Sequence, residues 1–211
     1  METFPFYLRS EGRELGSRLG IGRPGGIRTL CVHGALIAVF GVMMPWSKGL
    51  DFLDPVMITA YACLGVLFAG PASAQAFAGG GALPPARMLA RILIAAAYGE
   101  GMALAVLLAG VATVDATHRR LLLPPLDTLA MGFTLGLSAS LAQASVAAWA
   151  ALRFSAVWAR AIPRAILLVL LGVFFFRSRW LPDVAGEGAA ICLAVTAAAW
   201  FALRGLAEPE S

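Results

Sequence analysis

Charged side chains are scarce in this sequence. Only 13% of its 211 residues are Asp, Glu, Lys or Arg, about half the share that is typical of a soluble domain. Hydrophobic residues make up 60% of the chain and the mean hydropathy is +0.81. This balance excludes a soluble domain of useful size, and the length allows about six membrane spans.

Lysine is nearly absent, and with it the motifs of nucleotide chemistry. The sole lysine, Lys48, lies in PWSKG, and no GxxxxGK[ST] sequence exists, so the chain is not itself a P-loop ATPase. No GxSxG, HExxH or phosphate-binding glycine loop is present either, and these are the signatures of common hydrolases. We therefore predict that the chain is not an enzyme and that any ATP hydrolysis belongs to a partner subunit.

Metal and cofactor ligands are equally sparse. The three cysteines lie far apart inside apolar runs without a CxxC spacing, which favours buried or lipid-facing thiols over a disulfide or metal site. His33 and His118 are expected on opposite sides of the membrane, so they do not form a pair of axial haem ligands. We expect no cofactor and no metal ion.

Long apolar runs are what the sequence does have. From Leu129 to Leu152 no residue is charged, and a helix of that length is about 36 Å long, enough to cross a bilayer core of roughly 30 Å. Six such runs predict an all-α integral membrane protein. The predicted spans are residues 28–46, 55–77, 92–114, 129–152, 165–181 and 188–203.

The fifth run is the weakest, with only twelve uncharged residues before Arg177 and Arg179. It is either a short span with arginines reaching the interface or part of a re-entrant segment. The six-helix domain covers residues 29–204, and residues 205–211 form a short tail.

Residues 1–28 form a polar, arginine-rich segment before the first span. Phe4, Leu8, Leu15 and Leu19 fall on one helical face, which predicts an amphipathic helix in the membrane interface. Four glycines weaken that helix and leave a frayed cytoplasmic tail as the alternative; they are Gly12, Gly16, Gly20 and Gly22.

The basic residues predict the orientation. With a cytoplasmic N-terminus, eleven basic residues fall in the inside segments and five in the outside loops. Cytoplasmic loops carry an excess of Lys and Arg, so both termini are expected on the cytoplasmic side of the inner membrane. Because the arginines lie in short gaps between apolar runs, membrane lipids are the expected partner and nucleic acid is not.

Few polar residues lie inside the predicted spans. Glu100 is the only acid well within an apolar run, so it either faces a path or a partner or makes a structural contact near the interface. Gln143 lines a path or, more simply, bonds to a neighbouring helix. A stripe of small residues on the fourth span predicts close helix packing; it comprises Gly132, Gly136, Ser140 and Ala144.

Three stretches carry a resemblance to a known family. They are FPFYLRSEGRELGSRL before the first span, LDPVMITAYACLGVLFAGPASAQAFA in the second, and ASVAAWAALRFSAVWARAIPRAILL at the exit of the fourth. In hydropathy order and basic turns the chain resembles an ABC-2-type permease, the membrane-spanning subunit of an ATP-binding cassette exporter. The first stretch is similar to the elbow helix of that family.

The resemblance implies partners. A cytosolic ATP-binding cassette subunit would dock at residues 79–91 and at 153–164, and a second permease half, identical or a paralogue, would complete the path. The docking candidates are Pro84, Pro85, Arg87, Arg91, Arg153 and Arg160. Glu100 would then face the path or the partner half.

Two other functions remain open. GGGALPPAR, after the second span, lacks the acidic residues that family members carry there, and this favours a non-catalytic anchoring or assembly subunit of a larger membrane complex. A membrane enzyme would need a cluster of polar residues at one depth in the membrane, and the only candidate for such a cluster in the sequence is Glu100.

Overall fold

The computed structural model describes residues 4–18, 26–43, 55–77, 84–118, 125–154 and 181–207, with a few positions between 157 and 169. Every regular element in these ranges is helical, so the chain is all-α as the apolar periodicity predicts. The helices are α1 (Phe4–Arg18), α2 (Gly26–Ala38, continued by a π-helical turn at Val39–Met43), α3 (Pro55–Phe77), α4 (Pro85–His118), α5 (Leu126–Arg153) and α6 (Leu181–Ala207).

Among the described residues, three helical segments are long and apolar enough to cross a membrane: Pro85–Thr117, Leu126–Arg153 and Gly186–Gly205. Shorter apolar helical segments cover Cys31–Met43 and Met57–Phe68. The chain thus has the features of a multi-pass membrane protein. Most of the predicted fifth span lies outside the described residues.

Helix α3 is the centre of the bundle. It shares its largest interfaces with α5 and α4, while α6 covers α5 and α1 lies against α4. The backbones of α3 and α4 approach closely at two glycines, because a Cβ placed on Gly65 would lie 2.7 Å from Gly99 Cα. Only glycine fits at such a crossing, as is common between membrane helices.

The π-helical turn joins α2 to α4. A Cβ on Gly41 would lie 2.7 Å from the Ala109 side chain, so the turn rests directly on α4. The Thr113 hydroxyl donates a hydrogen bond to the Gly41 carbonyl at 3.2 Å. A π turn breaks the regular i to i−4 pattern, and Thr113 supplies a donor at that break.

The two ends of the bundle differ in charge. One apolar cluster joins Leu15 of α1, Met88 of α4, Ala151 of α5 and Leu203 of α6, so the start of α4 and the ends of α5 and α6 lie together. We call this the basic end, because it carries Arg87, Arg91, Arg153 and Arg204.

At the opposite end, Val114 of α4 packs against Leu129 and Phe133 of α5. The charged residues described there are acidic, and we call it the acidic end; they are Asp115, Asp127 and Glu187.

Candidate functional site

The first polar feature joins α1 to the first turns of α4, and we call it the N-terminal clasp: Glu11, Glu14, Arg87 and Arg91. The Glu11 carboxylate accepts a hydrogen bond from Arg91 Nε at 2.5 Å and another from Arg87 Nε. Glu14 Oε2 lies 3.5 Å from Arg91 Nη2 and 3.6 Å from Arg87 Nη2. Two carboxylates thus meet two guanidinium groups, the strongest kind of side-chain hydrogen bonding.

Local sequence positions each half of the clasp. Arg87 and Arg91 are four residues apart and Glu11 and Glu14 three apart, so each pair lies on one helical face. Helix α4 begins at Pro85, a residue that suits the first helical position because it needs no backbone donor. The Pro84 carbonyl accepts bonds from the backbone N–H groups of Arg87 and Met88, at 2.9 and 3.1 Å. The positive end of the α4 dipole also favours the acids of α1.

The clasp reduces the solvent exposure of one of the docking candidates. Arg91 is only 6% exposed because α1 covers it, whereas the Arg87 side chain remains 35% exposed. Pro84, Pro85 and Arg153 are exposed, and Arg160 lies outside the described residues. The docking candidates Pro85, Arg87 and Arg91 and the third predicted span belong to one continuous helix, α4.

The second feature lies where α3, α4 and α5 meet, and we call it the Glu100 site: Ala62, Gly99, Glu100, Gly136 and Ser140. Glu100 is partly exposed, but its Oε1 atom is buried and has no hydrogen-bond partner among the described residues. A Cβ on Gly136 would lie 2.9 Å from that oxygen. Ser140 is fully buried, and within the described ranges its hydroxyl also has no partner.

Two thiols lie close to the same site. Cys63 of α3 is buried and packs near Cys192 of α6, and both are free cysteines. Cys63 follows Ala62 of the Glu100 site along α3. In the described part of the chain Glu100 forms no ion pair, and no three His, Cys, Asp or Glu residues come together to hold a metal ion. The arrangement offers a hydrogen-bond acceptor and neutral polar neighbours without a compensating positive charge.

His33 takes a structural position beside this site. Its Nε2 is hydrogen-bonded to the Tyr98 hydroxyl at 2.5 Å, and its ring packs on Phe68 with centroids 4.7 Å apart. These contacts tie α2 to α3 and α4, two residues before Glu100. His118 has no described side chain.

The small-residue stripe of α5 packs against other helices of the same chain. Gly132 faces Ile58 of α3, Gly136 faces Glu100, and a Cβ on Gly99 would lie 3.1 Å from Ser140 Oγ. Ala144 belongs to the cluster at the basic end, and Gln143 is fully buried.

Sequence reasoning missed Glu11, because the acids of α1 were expected to face water, opposite the leucines. The available signal was the match between acids spaced by three residues and arginines spaced by four. Ser140 was expected in the packing stripe of α5, but its place beside Gly99 depends on which helix faces α5.

In the part of the chain that the structure describes, the fold is helical throughout its regular elements, with three helices able to cross a membrane. No protein-family model, curated protein or solved structure matches it. The clasp and the Glu100 site are therefore the features from which a function is to be inferred.

Proposed function

We propose that the chain is a six-span permease subunit of an ABC-2-type transporter, which forms a translocation path with a second permease half and is powered by a separate ATPase. The observation that carries this proposal is the N-terminal clasp. It fixes an amphipathic helix to the first turns of α4, at the basic end of the bundle. In the family that the chain resembles, an amphipathic helix precedes the first span and the ATPase docks before the third.

The exposed residues at the basic end fit a docking surface. Pro84, Pro85 and the outer part of Arg87 remain accessible next to α1, and Arg153 is exposed at the end of α5. Since cytoplasmic segments carry the excess of basic residues, the basic end is placed on the cytoplasmic side of the inner membrane.

The remaining spans of the proposal are α2, α3 and the segment 165–181. Helix α3 has 23 residues and is about 34 Å long at 1.5 Å per residue. Helix α2 and its π turn together run from Gly26 to Met43, about 27 Å, which a tilted or thinned bilayer accommodates. Six spans place both termini in the cytoplasm.

Co-purification tests this function. The tagged chain is extracted in a mild detergent, and the proteins that accompany it are identified by mass spectrometry. We expect a stoichiometric cytosolic ATPase, lost in Arg153→Glu and reduced in Arg87→Gln. Arg13→Glu, on the outer face of α1, serves as the control that retains it. Unchanged thermal unfolding midpoints show that Arg153→Glu and Arg13→Glu fold, whereas Arg87→Gln, which weakens the bond to Glu11, should keep a cooperative transition at a lower midpoint.

A non-catalytic assembly subunit is the second candidate, and helix α6 favours it. Only 11% of its apolar window is buried within the chain, and large side chains such as Ile191 and Phe201 are 64% and 70% exposed. A partner subunit in the membrane would cover this face. Recovery of membrane subunits without any ATPase would support this function and overturn the permease.

A further inference from the structure

The Glu100 site is too tightly packed for a substrate or a hydrated ion. A Cβ on Gly99 would lie 2.5 Å from the Ala62 carbonyl oxygen, and one on Gly136 2.9 Å from Glu100 Oε1. A methyl group is therefore excluded at Gly99, where it would meet the backbone, and at Gly136 it would require the Glu100 side chain to shift. Hard cations in proteins take about six or more oxygen ligands, whereas the close approaches described at this site involve the oxygen atoms of Glu100, Ser140 and the Ala62 carbonyl.

Among the described residues, the buried oxygen has neither a hydrogen-bond partner nor an ion-pair partner. A carboxylate removed from water without hydrogen bonds or an opposite charge is strongly disfavoured, and an acid at membrane depth usually faces a partner or a proton path. A protonated carboxyl is neutral, so its burial requires no opposite charge. A proton is the one ligand that needs no additional space.

Within the described residues Glu100 takes part in no ion pair with Lys, Arg or His. To the ionisable groups around the site, helix α3 contributes Tyr61 and Cys63, α6 contributes Cys192, and Tyr98 of α4 is bonded to His33 of α2. The groups of α5 in this region are Ser140 and Gln143, which do not titrate.

We propose that the Glu100 site binds a proton, which Glu100 holds at neutral pH while α3, α4 and α5 are packed together. Water or a donor reaches the buried Oε1 when α4 separates from α5 at Gly136, and this access favours the ionised form. Proton release is therefore coupled to opening of this helix interface. The inference is independent of the proposed function, because neither an ATPase nor a docking surface takes part in it.

Dicyclohexylcarbodiimide tests the proposal, because this apolar reagent modifies protonated carboxyl groups. The carboxyl oxygen bonds to the carbodiimide carbon while the acid proton moves to a carbodiimide nitrogen. The resulting O-acylisourea rearranges to a stable N-acylurea, which mass spectrometry of the full-length chain, digested after labelling, assigns to a residue. At neutral pH we expect the adduct on Glu100 and its loss in Glu100→Gln. Glu187, an exposed acid of α6, is the internal control and should stay unlabelled.

Raising the pH should decrease the labelling of Glu100, and adding Na⁺ at constant pH should leave it unchanged. Protection by Na⁺ would overturn the proposal in favour of a cation site, and labelling no greater than that of Glu187 would overturn it outright.

Thermal unfolding gives a second readout that does not depend on the reagent. A group that binds a proton more tightly in the folded state makes the fold less stable as the pH rises. The wild-type midpoint should therefore fall from mildly acidic to mildly alkaline pH, whereas that of Glu100→Gln, whose amide is neutral throughout, should fall less. Parallel curves for the two proteins would contradict a proton held at Glu100.

Discussion

The clasp and the Glu100 site bury a glutamate in two different ways. Glu11 is 4% exposed and meets two guanidinium groups, whereas Glu100 places one oxygen between three helices without a partner in the described residues. The clasp forms at the basic end, where arginines are abundant; the Glu100 site forms between stripes of glycine, alanine and serine. The comparison shows two outcomes of burying an acid. Glu11 joins two helices through its ion pairs, whereas the buried oxygen of Glu100 is left able to form a further hydrogen bond.

Removal of the Glu11 carboxylate should have the largest effect on stability. Glu11→Ala leaves the Arg91 guanidinium, 6% exposed, without its main counter-charge. Removing one partner of a buried ion pair typically costs about 3–5 kcal/mol. Thermal unfolding in detergent measures the loss as a lower midpoint.

Glu14→Ala is the matched control, because the Glu14 side chain is 32% exposed and exposed ion pairs contribute about 1 kcal/mol or less. Equal midpoints for Glu11→Ala and Glu14→Ala would show that Glu11 is not the centre of the clasp. The double change Glu11→Leu with Arg91→Met should recover part of the stability, because paired apolar replacements leave no buried charge.

Gly99→Ala should also have a large effect on stability, at the Glu100 site. The added methyl group meets the Ala62 carbonyl of α3, which belongs to the backbone and cannot move aside easily. Overpacking of this kind costs about 1–3 kcal/mol, again read from the unfolding midpoint.

The control lies two residues away. A Cβ on Gly101 meets no atom within 4 Å, so Gly101→Ala should be neutral or gain up to about 1 kcal/mol from helix propensity. A destabilised Gly101→Ala together with a tolerated Gly99→Ala would refute the close approach of α3 and α4.

Replacing Glu11 and Glu100 by glutamine compares the two sites directly. Glu11→Gln weakens charged hydrogen bonds to Arg87 and Arg91 and should cost about 1.5–3 kcal/mol. Glu100→Gln removes no ion pair in the described part of the chain and, at neutral pH, should change stability by less than about 1 kcal/mol. Unfolding midpoints of the two variants, measured side by side, test this difference. A larger loss of stability in Glu100→Gln than in Glu11→Gln would refute the contrast between the two sites.

The smallest effect is expected on the outer face of α1. Arg9 and Arg13 are exposed, and the Arg13 side chain bonds only to the Arg9 carbonyl within α1 among the contacts described. Arg9→Gln and Arg13→Gln should each shift stability in detergent by no more than about 0.5 kcal/mol. A shift as large as that of Glu11→Ala would mean that the outer face of α1 also holds the bundle.

Much of the helical structure follows from composition and period. The fourth predicted span, 129–152, corresponds to α5 at Leu126–Arg153, and the third, 92–114, lies within α4 at Pro85–His118. Helix α4 begins earlier than the apolar run because Pro85 suits a first helical turn and the arginines after it are good helix formers. Hydropathy does not detect that extension, since it counts only the apolar part of a helix.

The sequence by itself determined the class of this protein: apolar helices, a polar N-terminal helix and an acid inside the third apolar run. Helical hydrogen bonds join residues four apart, and hydropathy is a property of each segment, so both can be read locally. Only the tertiary structure decided that Glu11 meets Arg87 and Arg91, 76 and 80 positions away, and that Glu100 lies against Gly136. Those contacts depend on which small residues let two helices approach, and that is a property of helix pairs that no single segment contains.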